Sequence, residues 1–147
     1  GMTKWGAGWA LVASLWLACL SPLQAQVFVG DAINVSLSGQ PGDTVRGRAL
    51  VLSRQGGLCI LCHSGPFPEE RFQGTLAPDL AASSAGLSAE QLRARIVDPS
   101  RFMPDTIMPS YFRAEGFTRI APQFAGKAIL TAQDIEDVVA FLVSLKP

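Results

Sequence analysis

The sequence predicts a small all-α protein, and three features of the chain support that fold class. Its 147 residues leave room for one domain and little more. Three segments begin with a helix-capping side chain and continue with apolar residues at helical spacing. No segment repeats the alternation of apolar and polar residues that a half-buried strand shows, and the chain has no internal repeat. We therefore expect three main helices joined by long loops.

Residues 1–25 have the pattern of a secretory signal peptide. Lys4 precedes an apolar run over residues 5–20, and Pro22 then begins a helix-breaking stretch that ends at Ala25. A retained membrane anchor is the alternative, but a run of about 16 apolar residues is short for a span, which needs about 20. We therefore expect export to the periplasm, cleavage after Ala25 and no permanent membrane anchor.

The rest of the chain divides into an arm and a domain. Residues 26–42 are rich in Gly, Ser and Asn, and they predict an extended arm rather than part of the core. Residues 43–147 are expected to form the folded domain. Asp43 can cap a first helix that runs to about Ser53. The apolar residues predicted on one face of that helix are Val45, Ala49 and Leu52.

The second helix is marked by its two ends. Ser88 opens a capping box with Gln91, and Asp98-Pro99 stops the helix. Leu92 and Ile96 are predicted to face inward, and Arg93 and Arg95 to face outward.

The final helix begins at Thr131 and is expected to pack against the first helix. Its apolar stripe at helical spacing comprises Ile135, Val138, Val139, Leu142 and Leu145. The segments 64–87 and 99–126, which carry several prolines and glycines, are expected to be loops.

One short motif carries the chemistry of this chain. Residues 59–63 read C-x-x-C-H, the spacing with which two thiols form thioethers to the two vinyl groups of haem. His63, the single histidine of the chain, would then bind the haem iron on one face. The motif predicts one covalently attached haem c, held by Cys59 and Cys62, and with it a small class I cytochrome c-type fold.

Other uses of these thiols fit less well. A thioredoxin-like site would need a βαβ pattern around the motif, and a tetrahedral zinc site would need four ligands. Beyond the signal segment the chain offers two Cys and one His. A thiol protein without haem is the remaining alternative. Lys and Arg together number 12, as do Asp and Glu, so no basic excess exists to bind nucleic acid.

The second axial ligand should be a methionine on the C-terminal side of the motif, because the chain has no second histidine. Met103 and Met108 are both candidates, each followed by proline, which favours an extended conformation. Chemistry alone does not separate them, and lysine or an open position is the alternative. The carbonyl of Pro78 is a candidate acceptor for the other ring N–H of His63.

Residues from about 46 to 146 resemble the SoxX subunit, the smaller cytochrome of the SoxAX complex in sulfur-oxidising bacteria. The most selective stretch is P-D-T-I-M-P over residues 104–109, followed by Tyr111 and Arg113. The other matching stretches are 57–63, 74–80, 87–98 and 126–146. The resemblance implies that Met108, rather than Met103, is the distal iron ligand.

The resemblance also implies a function and partners. SoxX pairs with SoxA, which holds the substrate site, and the complex couples thiosulfate oxidatively to a cysteine of the carrier SoxYZ. This chain, which has no catalytic cysteine of its own, would be the electron-transfer subunit of that L-cysteine S-thiosulfotransferase and pass electrons to a downstream cytochrome. Residues 26–42 would then be a strap onto SoxA. A free-standing periplasmic monohaem carrier for another oxidoreductase is the alternative.

Overall fold

The computed structural model describes residues 1–2, 27–112 and 128–147. Four helices and one two-stranded hairpin make up the regular structure of these residues. They are β1 (Phe28–Val29), β2 (Ala32–Ile33), α1 (Thr44–Leu52), α2 (Leu80–Ser84), α3 (Ala89–Val97) and α4 (Ala132–Ser144), with single 3₁₀ turns at Cys59–Leu61 and Pro99–Arg101. Residues 3–25 of the predicted signal segment, and Arg113, lie outside the described residues.

The main contact of the fold is the crossing of α1 and α4, as the sequence predicts. The backbones meet at Gly47, where an added Cβ would come within 1.9 Å of the carbonyl oxygen of Asp137. Only a glycine allows two helices to approach this closely. Gly47 and Val51 are therefore the buried residues of α1. The predicted face was wrong for Val45 and Ala49, which are exposed, whereas Leu52 packs against the core.

A buried carboxylate holds the two helices in register. Asp137 accepts hydrogen bonds from the backbone N–H of Asp43 (2.7 Å), from Nε of Arg46 (2.9 Å) and from Nε2 of Gln133 (2.9 Å). Burial alone raises the pKa of a carboxyl group, but these hydrogen bonds and the Arg46 charge outweigh it, so the pKa of Asp137 is lowered. The group is therefore a charged part of the helix interface at neutral pH.

Helix α3 begins and ends where the sequence predicts, but it buries Arg93, Ala94 and Val97 in addition to Leu92 and Ile96. Ser88 and Gln91 form the predicted capping box, and Val97 is the last helical residue before Pro99. Arg93 was predicted to face solvent, yet it is only 8% exposed. Its guanidinium group binds the buried carboxylate of Glu136, with Nη2 at 2.7 Å from Oε1.

The N-terminal segment, predicted as an extended arm, contributes one residue, Ile33, to the core. β1 and β2 pair antiparallel, with Phe28 opposite Ile33. Ile33 is 2% exposed, and its carbonyl oxygen accepts a hydrogen bond of 2.7 Å from Nη1 of Arg93. The backbone N–H of Leu37 donates to Oε2 of Glu136 at 3.1 Å. Residues 33–37 are thus bonded to both α3 and α4.

The predicted loops contain two short helical turns. Asp79 caps α2 by accepting hydrogen bonds from the backbone N–H groups of Ala81 (2.9 Å) and Ala82 (3.2 Å). Pro99 starts the 3₁₀ turn that follows α3. No helix among the described residues is long and apolar enough to cross a membrane.

Candidate functional site

The C-x-x-C-H motif begins with a single 3₁₀ turn (Cys59–Leu61), which is the next helical element after α1. The turn begins after Leu58, a left-handed residue with a φ of 65°, whose N–H donates to the carbonyl of Ser53 at 2.9 Å. The N–H groups of Cys62 and His63 both donate to the carbonyl of Cys59, at 3.1 and 2.9 Å. Both cysteines are free thiols and half-buried. The turn therefore holds the two thiols and the histidine in one compact unit.

The imidazole of His63 has a fixed orientation. Its Nδ1 lies 2.6 Å from the carbonyl oxygen of Pro78, which is the contact that the sequence led us to expect. A carbonyl oxygen can only accept, so the proton of the neutral ring resides on Nδ1. The lone pair of Nε2 is then available to a metal ion.

The loop that carries Pro78 is fastened to the motif by backbone hydrogen bonds. The N–H of Gly74 donates to Ile60, and the N–H of Ala77 donates to Cys62, at 2.8 and 2.9 Å. At Gly74 an added Cβ would lie 2.5 Å from the Cα of Cys62, so only glycine allows this approach. The position of Pro78 is therefore set by the motif that its carbonyl supports.

A glutamine side chain closes the same loop from within. Oε1 of Gln73 accepts from the N–H of Gly65 at 2.8 Å, and its Nε2 donates to the carbonyl of Phe67 at 2.8 Å. Ser64 and Asp79 add a side-chain hydrogen bond of 3.2 Å. Hydrogen bonds thus fix the loop on the side of the motif that carries His63.

The two candidate methionines differ in their surroundings. Met103 is 66% exposed, whereas Met108 is half-buried and packs against the hydrophobic core. The backbone N–H of Met108 also donates to Oγ1 of Thr106 at 3.2 Å. The packing of Met108 suits a residue with a defined position, and its role as iron ligand stays a prediction.

Tyr111 also lies at this site, and we had assigned it no role from the sequence. Its side chain is 4% exposed, and the pKa of Tyr111 is raised, first by burial and then by the nearby thiols of Cys59 and Cys62. Burial raises the pKa of Cys59 to about 11, and the nearby polar groups of its own backbone and of Tyr111 offset only part of that effect. The thiol is therefore protonated at neutral pH. The one signal in the sequence was that Tyr111 is the only tyrosine of the chain and follows the selective 104–109 stretch.

The donor set of this site fits a c-type haem. Two thiols and an imidazole with a free Nε2 lie on one turn, and no disulfide joins Cys59 to Cys62. Four helices with little sheet around such a turn are consistent with a cytochrome c-like fold.

Comparison with known proteins identifies the family. The chain is similar to a chain of a solved structure described as the crystal structure of SoxXA from P. pantotrophus, with 37% sequence identity and a TM-score of 0.75. The match covers 82% of this chain and 94% of that chain. No family model and no curated protein matches this chain. The chain belongs to the SoxX family, which confirms the resemblance found in the sequence.

Proposed function

We propose that this chain is the electron-transfer subunit of a SoxXA-type complex and a periplasmic, monohaem c-type cytochrome. The observation that carries the proposal is the hydrogen bond from Nδ1 of His63 to Pro78, beside two free thiols at the haem c spacing. That hydrogen bond places the ring proton on Nδ1 and leaves the lone pair of Nε2 available to a metal ion. Neither a disulfide nor a histidine at the surface would require this arrangement.

The proposed roles of the site residues follow from their chemistry. Cys59 and Cys62 would hold the haem through thioether bonds, and His63 and Met108 would supply the ligands of its iron. A haem bound there supplies one-electron redox chemistry. The carbonyl of Pro78 accepts from Nδ1 of His63 and thereby fixes the tautomer of the ring.

Exposed apolar side chains near the motif also support a haem site. Leu61 lies in the motif itself, Leu76 precedes Pro78, and Ile107 precedes Met108. All three side chains are exposed. Exposed apolar side chains that are grouped on a surface are typical of a site that binds an apolar ligand. A haem held by Cys59, Cys62 and His63 would be such a ligand.

The proposed reaction belongs to the complex rather than to this chain alone. A SoxA-like subunit would hold the substrate site, where a sulfur of thiosulfate bonds to a cysteine thiol of the SoxYZ carrier. Forming that S–S bond releases the thiol proton and two electrons. This chain would take up the electrons one at a time and pass them to a downstream cytochrome.

Haem attachment is tested first, on protein exported in a host that attaches haem c. The pyridine haemochrome spectrum of the wild type is expected to show a c-type band, and its haem should resist extraction into acidified solvent. The double variant Cys59→Ser, Cys62→Ser should release its haem to the solvent. If the wild type lacks the c-type band, the chain is a thiol protein without haem.

The place in a complex is tested by co-expression with a SoxA-like cytochrome. The two chains should co-purify, and the haem of this chain should become reduced when thiosulfate and the SoxYZ carrier are added together. Omission of either substrate is the control. A haem-loaded chain that stays monomeric beside its SoxA-like candidate would instead be a free-standing carrier.

A further inference from the structure

The loop that carries Met108 is closed at its base by one carboxylate. This loop spans residues 99–109, which we call the distal loop, and it follows Asp98, the C-cap residue of α3. The hydroxyl of Ser110, directly after the loop, donates to Oδ1 of Asp98 at 2.7 Å. The hydroxyl of Ser100, at the start of the loop, donates to the same oxygen. The two ends of the distal loop thus meet at Asp98.

Between these two ends the distal loop lies at the surface. Each of residues 100–109 is exposed or half-buried, whereas Ser110 is only 3% exposed. Directly after Ser110, the backbone N–H of Tyr111 donates to the carbonyl of Ile96 in α3 at 3.1 Å. The hydrogen bonds of Ser110 and Tyr111 therefore fix the chain just beyond Met108.

We propose that Asp98 and Ser110 are positioning residues that close the distal loop and hold Met108 at the haem iron. The inference rests on the proposed function, because it concerns Met108 as a ligand of a bound haem. A loop whose ends are tied together has fewer conformations than a loop whose ends are free to separate. The tie therefore raises the fraction of molecules in which Met108 is in place to bind the iron.

The hydrogen bond from Ser110 to Asp98 is of a strong kind. Its acceptor is a carboxylate oxygen, and a hydrogen bond to a charged group is roughly twice as strong as one between neutral groups. Without the hydroxyl of Ser110, the end of the distal loop would be held by the backbone alone. Loss of this bond is expected to lower the population of the closed loop, relative to the open loop, by about tenfold.

Imidazole reports how firmly Met108 is held, because it competes with methionine for oxidised haem iron. Its apparent affinity rises as the fraction of molecules with the methionine in place falls. In visible-absorption titrations of the haem-loaded chain, Ser110→Ala is expected to bind imidazole about tenfold more tightly than the wild type. Met108→Ala, in which the competing side chain is removed, sets the upper limit of the affinity.

Ser84→Ala is the matched control. Ser84 is also buried, and its hydroxyl donates a hydrogen bond of the same length, 2.7 Å, to the carbonyl of Leu80 within α2. This variant loses a buried hydroxyl away from the distal loop, so it should keep the wild-type affinity for imidazole. Asp98→Asn keeps an acceptor oxygen but removes the charge, and it should give an intermediate increase. That variant decides the matter if Ser110→Ala does not fold.

Two results would overturn the role of Asp98 and Ser110. One is wild-type affinity for imidazole in both Ser110→Ala and Asp98→Asn, and the other is an equal rise in Ser84→Ala. A wild type that shows the c-type haemochrome band but binds imidazole as tightly as Met108→Ala would overturn this inference alone. A wild type without that band would overturn the proposed function, and with it this inference.

Discussion

At the scale of single residues, the site depends on main-chain groups as much as on side chains. His63 is oriented by the carbonyl of Pro78, and that carbonyl is placed by the hydrogen bond from Ala77 to Cys62. A backbone acceptor survives most substitutions at its own position. The orientation of His63 therefore depends on the path of the loop more than on which residue stands at position 78.

Replacing each methionine in turn identifies the distal ligand. Met108→Ala is expected to abolish the sulfur-to-iron charge-transfer band of the oxidised protein, because Met108 is the methionine that packs on the core. Met103→Ala should keep that band, since the side chain of Met103 is exposed. Near-infrared absorption of the two purified variants makes the comparison. The opposite outcome would assign the ligand to Met103, and a band kept in both would exclude methionine ligation.

Residues with local partners were predictable, and residues with distant partners were not. The C-x-x-C-H turn and the carbonyl of Pro78 lie within 15 positions of His63, so spacing and residue type were enough to propose them. The burial of Arg93 depends on Glu136, 43 positions away, and on Ile33, 60 positions away. Helical periodicity places charged residues on the solvent side of a helix. It contains no information about a distant carboxylate or carbonyl that could pair with a buried arginine.

At the scale of secondary-structure elements, the close contact of α1 and α4 has little tolerance for added volume. Gly47→Ala would introduce a Cβ into the backbone of α4 at Asp137 and push the helices apart. We expect a loss of about 1–3 kcal/mol in the free energy of unfolding, although alanine favours helix more than glycine does.

Gly86→Ala provides the matched control, because no atom lies within 4 Å of the added Cβ there. Its stability should be unchanged or raised by at most about 1 kcal/mol. Urea unfolding measures both variants. Equal stability of Gly47→Ala and the wild type would contradict the close crossing.

The carboxylate between the same helices predicts a pH dependence. The pKa of Asp137 is lowered in the folded protein, so its contribution to stability is present above the ordinary aspartate pKa of about 3.9 and is lost as the pH falls through the folded value. We expect wild-type stability to fall below about pH 4. Asp137→Asn, which cannot ionise, should be less stable at pH 7 and should fall less steeply. Parallel curves of unfolding free energy between pH 3 and 7 would contradict this assignment.

Helix ends were better predicted than helix faces. The caps at Asp43, Ser88 and Thr131 are all present, because a cap is a contact between residues three positions apart. The buried face of α1 was not found, since glycine carries no apolar signal. The close approach of α4 determines which face of α1 is buried. That approach depends on residues of both helices, so the sequence of α1 alone does not reveal it.

At the scale of the whole molecule, the N-terminal segment is part of the folded unit. Ile33→Ala is expected to lower the free energy of unfolding of the isolated chain by about 2–5 kcal/mol, because the side chain is fully buried. Val35→Ala, at an exposed position two residues further on, should change it by no more than about 0.5 kcal/mol. Urea titration of the haem-loaded monomers compares them. If Ile33→Ala weakened only the complex with a SoxA-like partner, the segment would be a strap after all.

The helical architecture was predictable as a whole, and the hairpin was not. The apolar stripe of α4 and its pairing with α1 follow from long, regular patterns. The strands β1 and β2 are two residues each, too short for alternation to show. Side chains of α3 hold the turn between the two strands, because Gln91 and Arg95 both donate to Oδ2 of Asp31, at 2.9 and 3.3 Å.

The crossing of α1 with α4 also sets an order of events while the chain is being made. The hydrogen bond from Asp43 to Asp137 joins residues 94 positions apart, and closing so long a loop is slow compared with forming a single helix. A nascent chain that has emerged as far as the C-x-x-C-H turn still lacks the helix that α1 needs. Until α4 is complete, the main helix pair cannot form around the motif. Any enzyme that must reach Cys59 and Cys62 has that interval in which to do so.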